Sequence, residues 1–147
     1  MGNIVPTISS GTAGPLGVLH LPRLWQKASL AATGKLHDAY PAYGQGYDQM
    51  VLDGLGIDRE VFLNYVAENK PTYIQLEAWV LDQKGGSLDQ DAVTALNDSI
   101  TAYIHDDGTR AEILGAAGRA DDGSIKDAVN LNNLDDWQIF YDVELKG

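Results

Sequence analysis

Two of the chain's three histidines, His20 and His37, stand in the stretch from His20 to Ile57, together with Arg23, Lys27 and three closely spaced tyrosines, Tyr40, Tyr43 and Tyr47. An imidazole titrating at about 6.5 can take or give a proton near neutral pH, so His20 and His37 are the candidate acid/base groups. Arg23 sits near an expected helix start, where its guanidinium fork and the free N–H groups of the first turn suit a carboxylate or phosphate. Pro22 removes one of those donors. The competing reading of Arg23 is an aliphatic stem packed on the core with its head paired to an acidic side chain elsewhere. The tyrosines lie in a Pro/Gly-rich loop. They suit either a pocket for a planar or apolar ligand, or an interface anchor, or rings folded over the end of a helical core.

The rest of the chain offers less chemistry. Asp38 follows His37 directly, and neighbouring side chains on a loop can point apart, so no dyad follows from adjacency. His105 is expected at the end of a helix, where a positive charge complements the dipole. There are no cysteines, so thiolate nucleophiles, thiolate metal sites and disulfides are excluded. The histidines lack the spacing of a metal site, and no metal or other cofactor is expected. Gly11-x-x-Gly14-x-x-Gly17 lacks the Gly-Lys-Ser/Thr ending of a phosphate loop, and Gly44-x-Gly46 lacks the third glycine of a dinucleotide fingerprint. Asp106-Asp107-Gly108 and Asp121-Asp122-Gly123 lack the alternating oxygen ligands of a calcium loop.

The elements that would position these groups read as helices. Residues 1–19, rich in Gly, Pro and Ser, read as an extended arm, with a helical core over about 20–147. Pro22 suits the first turn of a helix running to about Thr33, with Gly34 beyond its end. Residues 35–46 break the periodicity and form a loop. A short helix follows over 47–55, and Asp58 caps another to about Asn69. Thr72-x-x-Gln75, Ser87-x-x-Gln90 and Thr109-x-x-Glu112 all match the capping-box pattern. They predict helices closed by Gly85-Gly86, extending over about Leu88–His105, and ending near Gly115–Gly118, and Ser124 is expected to start one more turn. Asp135-Asp136 is placed at the start of a last helix, Trp137–Leu145, whose Trp137, Phe140 and Tyr141 make an aromatic face for the core or for a second subunit. Trp25, Trp79 and Trp137 are read as core fillers. No segment alternates between two turn signals, so the expected fold is all-α: one compact domain of about six to eight short helices.

Charge narrows the partners. The 147 residues carry 10 basic and 21 acidic side chains, a net charge of −11. Residues 1–47 hold Arg23, Lys27 and Lys35 against Asp38 alone, so the acidic excess lies entirely beyond them. Such a surface repels phosphate backbones, which disfavours nucleic acid and anionic membranes. The N-terminal residues lack the basic start and apolar core of a signal peptide, and Pro6 stands where a myristoylation pattern needs Ser or Thr. No apolar run approaches the roughly 20 residues of a membrane helix. A soluble, cytoplasmic protein is the expectation.

Leu21-Pro22-Arg23, the helix with Lys27 and Ala28 that closes on Gly34, the tyrosine loop, Leu55-Gly-Ile-Asp58 with Phe62 following, and the Trp-containing acidic end Asp135–Asp142 occur in an order that resembles a family of small bacterial proteins, domain of unknown function 5069 (DUF5069). The resemblance spans about Leu16 to Val143. It implies a compact helical domain and carries no established activity. The arm and the loop Asp38–Asp48 depart from the family pattern, so a role for those tyrosines would be particular to this chain.

Two functional readings follow. The first is a ligand-binding or protein-interaction domain that uses the Arg23 helix and the Tyr40–Tyr47 loop, with a small acidic or aromatic ligand, a protein partner or a second copy of the chain as occupant. It requires Arg23 and the tyrosine loop to border one concavity. The alternative is a small enzyme for an acidic metabolite, with Arg23 as anion clamp and His20 or His37 as acid/base.

Overall fold

The structure, a computed structural model, describes residues 2–146. Met1 and Gly147, the ends of the expected arm and core, lie outside the described residues. Seven α-helices run in the order α1 (Leu21–Ala32), α2 (Tyr47–Leu55), α3 (Arg59–Asn69), α4 (Tyr73–Gln83), α5 (Gln90–Ala102), α6 (Asp107–Ala116) and α7 (Ala128–Phe140), and α7 continues into a π-helical turn, Tyr141–Leu145. No strand occurs among the described residues, only isolated bridges. The fold is all-α, as the periodicity requires.

Local chemistry starts and stops most of these helices. Pro22 occupies the first turn of α1. The Asp58 carboxylate accepts from Val61 N–H and starts α3, and Thr72 with Gln75 completes a reciprocal capping box on α4. Gly56 takes a left-handed conformation (φ 69°) to end α2. The other two expected boxes are not the starts. Asp89, with a carboxylate that reaches the N–H groups of Asp91 and Ala92, caps α5 in place of Ser87. Asp106 caps α6 by accepting from Thr109 N–H, so Thr109 lies inside the helix. Carboxylates win because the same short reach comes with a charge favoured at a helix N-terminus.

The C-terminal third departs further from expectation. α5 stops at Ala102, where Tyr103 turns extended, so Tyr103, Ile104 and His105 form a connector. Ser124 lies in a bend in which the Asp122 carboxylate accepts from its N–H and hydroxyl, and starts no turn. α7 begins at Ala128 with Asp127 as cap, so Asp135 and Asp136 fall inside the helix, not at the start of one. Ala128 and Leu131 are fully buried, and burial of that face decides where the helix runs.

The main core joins α1 through α5 around Leu21, Leu24, Phe62, Val66, Leu76 and Ile100, with Trp25 and Trp79 packed at its edge. Ile113, Leu114 and Leu131 form a smaller cluster between α6 and α7. Trp137 is not a core filler: it is 64% exposed. The arm is fastened to the core by polar contacts. Ile4 N–H donates to Lys35 C=O, and His37 N–H to Ile4 C=O, both at 3.0 Å. The Gln26 side-chain carbonyl accepts from Thr7 and Ile8, and Asn97 pairs with the backbone of Gly17 and Leu19. No described helix is long and apolar enough to cross a membrane.

Candidate functional site

His20 closes the arm and opens α1 in a left-handed backbone conformation (φ 70°), which costs a non-glycine residue roughly 1–2 kcal/mol. Three bonds hold it there. Its N–H donates to Thr12 C=O at 3.1 Å, Nδ1 lies 2.9 Å from Ser10 Oγ, and Nε2 lies 2.5 Å from Asp48 Oδ1. A carboxylate can only accept, so Nε2 carries the proton toward Asp48 and Nδ1 accepts from the Ser10 hydroxyl. Burial pushes the His20 pKa below its ordinary value, against the pull of Asp48.

Asp48 is the hub of this network. Its Oδ2 accepts from Lys27 Nζ at 2.6 Å and from Gly44 N–H at 2.7 Å. Burial alone would raise its pKa, but the His20 hydrogen bond and the Lys27 charge hold it at about 2. Ser10, His20 and Asp48 therefore form a connected Ser–His–Asp row. Its chemistry is blocked on two counts. Ser10 is fully buried, so no substrate reaches its oxygen, and Lys27 already neutralises the carboxylate that would have to stabilise an imidazolium.

One helical turn away, Arg23 makes a two-pronged pair with Asp136 of α7, Nη1 to Oδ2 at 2.6 Å and Nη2 to Oδ1 at 3.1 Å. Nη1 also donates to Ile8 C=O at 3.0 Å. The Tyr40 hydroxyl donates to Asp136 Oδ1 at 2.8 Å, and the guanidinium carbon sits 5.8 Å from the Tyr40 ring centroid. Burial and the Asp136 charge raise the Tyr40 pKa, so the phenol stays protonated and donating. Arg23 is thus the internally paired arginine of the competing reading, not a free anion clamp.

Between these two ion pairs lies a cavity of about 260 Å³. His20, Arg23, Lys27, Tyr40 and Tyr47 all border it, so Arg23 and the tyrosine loop do share one concavity. Asp48, Tyr103, His105, Asn132 and Asp135 complete the wall. His20, Tyr47, Tyr103 and His105 form a run of neighbouring rings, with centroids 5.3, 5.5 and 6.0 Å apart in sequence. The Tyr47 hydroxyl donates to Ile100 C=O at 2.6 Å, and His105 Nε2 lies 2.8 Å from Asn132 Oδ1. Asp135 is half-buried, and burial followed by the Asp136 charge raises its pKa.

His37 and Tyr43 lie apart from this wall. His37 Nδ1 accepts from Ala39 N–H at 3.0 Å and borders a separate shallow hollow with Gly2, Leu36 and Asp38. Asp38 makes no dyad with it. The Tyr43 ring lies under Arg59, 5.5 Å from the guanidinium carbon. Larger hollows exist, about 390 Å³ beside Asp136, Trp137 and Phe140 and about 460 Å³ beside Tyr65 and Trp79, but neither is bordered by a histidine or by cations of α1. No group of three or more potential ligands is arranged to hold a metal among the described residues.

Sequence reasoning missed Ser10, Asp48, Tyr103, Asn132, Asp135 and Asp136 as neighbours of this site. One signal was available for the helix side. His20, Arg23 and Lys27 recur at the i, i+3, i+7 spacing of a single helical stripe, and a polar stripe on the same helix as Leu21, Leu24 and Ala28 calls for buried acidic partners. Which acids supply them is a matter of tertiary contact.

Searches of curated proteins and of solved structures return no match. The family model described as domain of unknown function (DUF5069) matches residues 8–138, nearly the whole chain and every residue lining the cavity. The chain belongs to the DUF5069 family.

Proposed function

We propose that this chain is a small-molecule binding domain, with the ligand seated between the tyrosine loop, α1, the α5–α6 connector and α7. One observation carries the reading: side chains from four separate parts of the sequence converge on one cavity lined by aromatic rings and fixed ion pairs. Its volume, about 260 Å³, lies just below the roughly 300–1,000 Å³ of drug-sized ligand sites and suits a smaller ligand. The polar groups are held before any ligand arrives, which reduces the ordering cost of binding. The sealed position of Ser10 favours binding over hydrolysis. Cytoplasmic residence, consistent with the absence of cysteine, remains part of the proposal.

The test is a ¹H–¹⁵N NMR titration of the intact chain with a panel of small aromatic amines, acids and alcohols. Shifts clustered on Tyr40, Tyr47, Tyr103, His105 and Asn132 support the reading. Shifts confined to Trp137 and Phe140, or none, overturn it. A second reading, a protein-interaction face, rests on α7 and its extension, where Trp137, Phe140, Tyr141 and Leu145 are 64, 44, 48 and 64% exposed. Sedimentation velocity across a concentration series reads whether a second copy covers that face.

A further inference from the structure

The cavity's charges do not balance. Arg23 is consumed by Asp136, and Lys27 by Asp48, each within 2.6 Å. His20 donates to Asp48 as a neutral ring, and His105 is bonded to Asn132 Oδ1. That leaves Asp135, a half-buried carboxylate on the cavity wall, with no hydrogen bond to another side chain among the described residues. The rings of Tyr40, Tyr47 and Tyr103 border the same space. A carboxylate facing aromatic walls is the combination that recognises an organic cation: the charge meets its counter-ion, and the ring faces attract the remainder. The same arrangement repels an anion, since both cations are already neutralised.

We propose that the cavity selects a small protonated amine carrying a short apolar body, with Asp135 as its counter-ion and the Tyr40, Tyr47 and Tyr103 rings as its wall. This inference rests on the ligand-binding reading above and reverses the expectation of an acidic ligand. Burial and the neighbouring Asp136 outweigh the opposing Arg23 and His105 charges and hold the Asp135 pKa above its ordinary value, so a bound ammonium group would draw it down and release a proton when binding occurs near that pKa.

Three probes of similar shape and different charge test it: 2-phenylethylamine, 2-phenylethanol and phenylacetate, titrated by calorimetry and by NMR into the intact chain and into Asp135→Asn. The expected order is amine tightest, alcohol weaker by about tenfold or more, the span of a charge-assisted hydrogen bond, and phenylacetate weakest. Asp135→Asn brings the amine to the level of the alcohol and leaves the alcohol unchanged. Should Asp135→Asn lose its native near-ultraviolet circular dichroism, Tyr103→Leu serves instead, with the amine weakened about two- to fivefold by loss of a cation–π face and the alcohol less. Binding of alcohol or phenylacetate equal to that of the amine, with shifts still on Tyr47 and Tyr103, overturns cation selection alone. No shift at any cavity residue with any probe overturns the ligand-binding reading with it.

Discussion

Replacing Asp136 by alanine strips the hydrogen-bonded partner from a largely buried guanidinium. The Arg23 and Asp136 side chains are only 7% and 8% exposed, so water replaces the lost carboxylate poorly. Two hydrogen bonds disappear, at 2.6 and 3.1 Å, and the Tyr40 hydroxyl loses its acceptor as well. Arg23 keeps one bond, to Ile8 C=O. Breaking one side of a buried pair costs about 3–5 kcal/mol, because an uncompensated charge stays behind. With a urea m-value of roughly 2 kcal/mol/M for a domain of this size, the unfolding midpoint falls by about 1.5–2.5 M with m unchanged.

The informative comparison is the double variant Arg23→Met/Asp136→Leu. Removing both charges and filling the space with apolar atoms is often neutral or stabilising, so it recovers most of the loss suffered by Asp136→Ala. Urea unfolding followed by tryptophan fluorescence and far-ultraviolet circular dichroism gives all three free energies. A loss below about 1 kcal/mol in Asp136→Ala refutes the pairing as a structural element, since exposed pairs behave that way. A double variant that loses as much as Asp136→Ala, or more, refutes the argument that the damage comes from the orphaned charge.

His20, with its pKa below the ordinary 6.5, binds a proton in the unfolded chain before it does in the folded one. Stability therefore falls as pH drops below about 6.5, by up to about 1.4 kcal/mol per pH unit, and urea midpoints at pH 7 and pH 5.5 measure it. His20→Asn, suited to the left-handed backbone, abolishes that slope. Asp48, held at about 2 against an ordinary 3.8, is displaced in the same direction: its contribution is complete above the unfolded value and is lost as pH falls between about 4 and 2. Gly14→Ala places a Cβ 2.4 Å from the Tyr73 ring and 2.6 Å from Glu77 Oε2, so it lowers stability by about 1–3 kcal/mol and the thermal midpoint records it. Tyr40→Phe deletes one of the Asp136 hydrogen bonds while Arg23 stays in place, costs about 0.5–1.5 kcal/mol, and speeds amide exchange across residues 38–46.

The helices were legible wherever their signals were local. Asp58 and the Thr72–Gln75 pair start helices through contacts three residues long, and the structure shows both. Where two capping patterns competed, sequence could not rank them: Ser87 against Asp89, and Thr109 against Asp106, were settled in favour of the carboxylate. Asp135-Asp136 misled for a different reason. An acidic pair is what a helix N-terminus favours, yet Asp136 is buried in mid-helix against an arginine 113 positions away. Nothing within a few residues of either encodes that contact. The cavity was half legible on the same account. Its helix side lies on one periodic stripe, whereas Tyr103 and His105 reach it only because α5 ends at Ala102, three residues before the expected helix end at His105.

The two buried carboxylates do more than neutralise α1. Residues 35–46 form no helix, and their position has to come from side-chain bonds. Asp48 takes Lys27 on one oxygen and holds Gly44 N–H with that same oxygen. Asp136 takes Arg23 in a fork and holds the Tyr40 hydroxyl. Each acid thus joins a cation of α1 to a point on the tyrosine loop. Buried pairs of this kind add little stability relative to apolar residues of the same volume, so cohesion alone gives a weak reason for two of them side by side. Placement gives a stronger one. With both clamps closed, the loop cannot shift without taking a donor away from each buried carboxylate, and the cavity keeps its shape in the absence of any ligand.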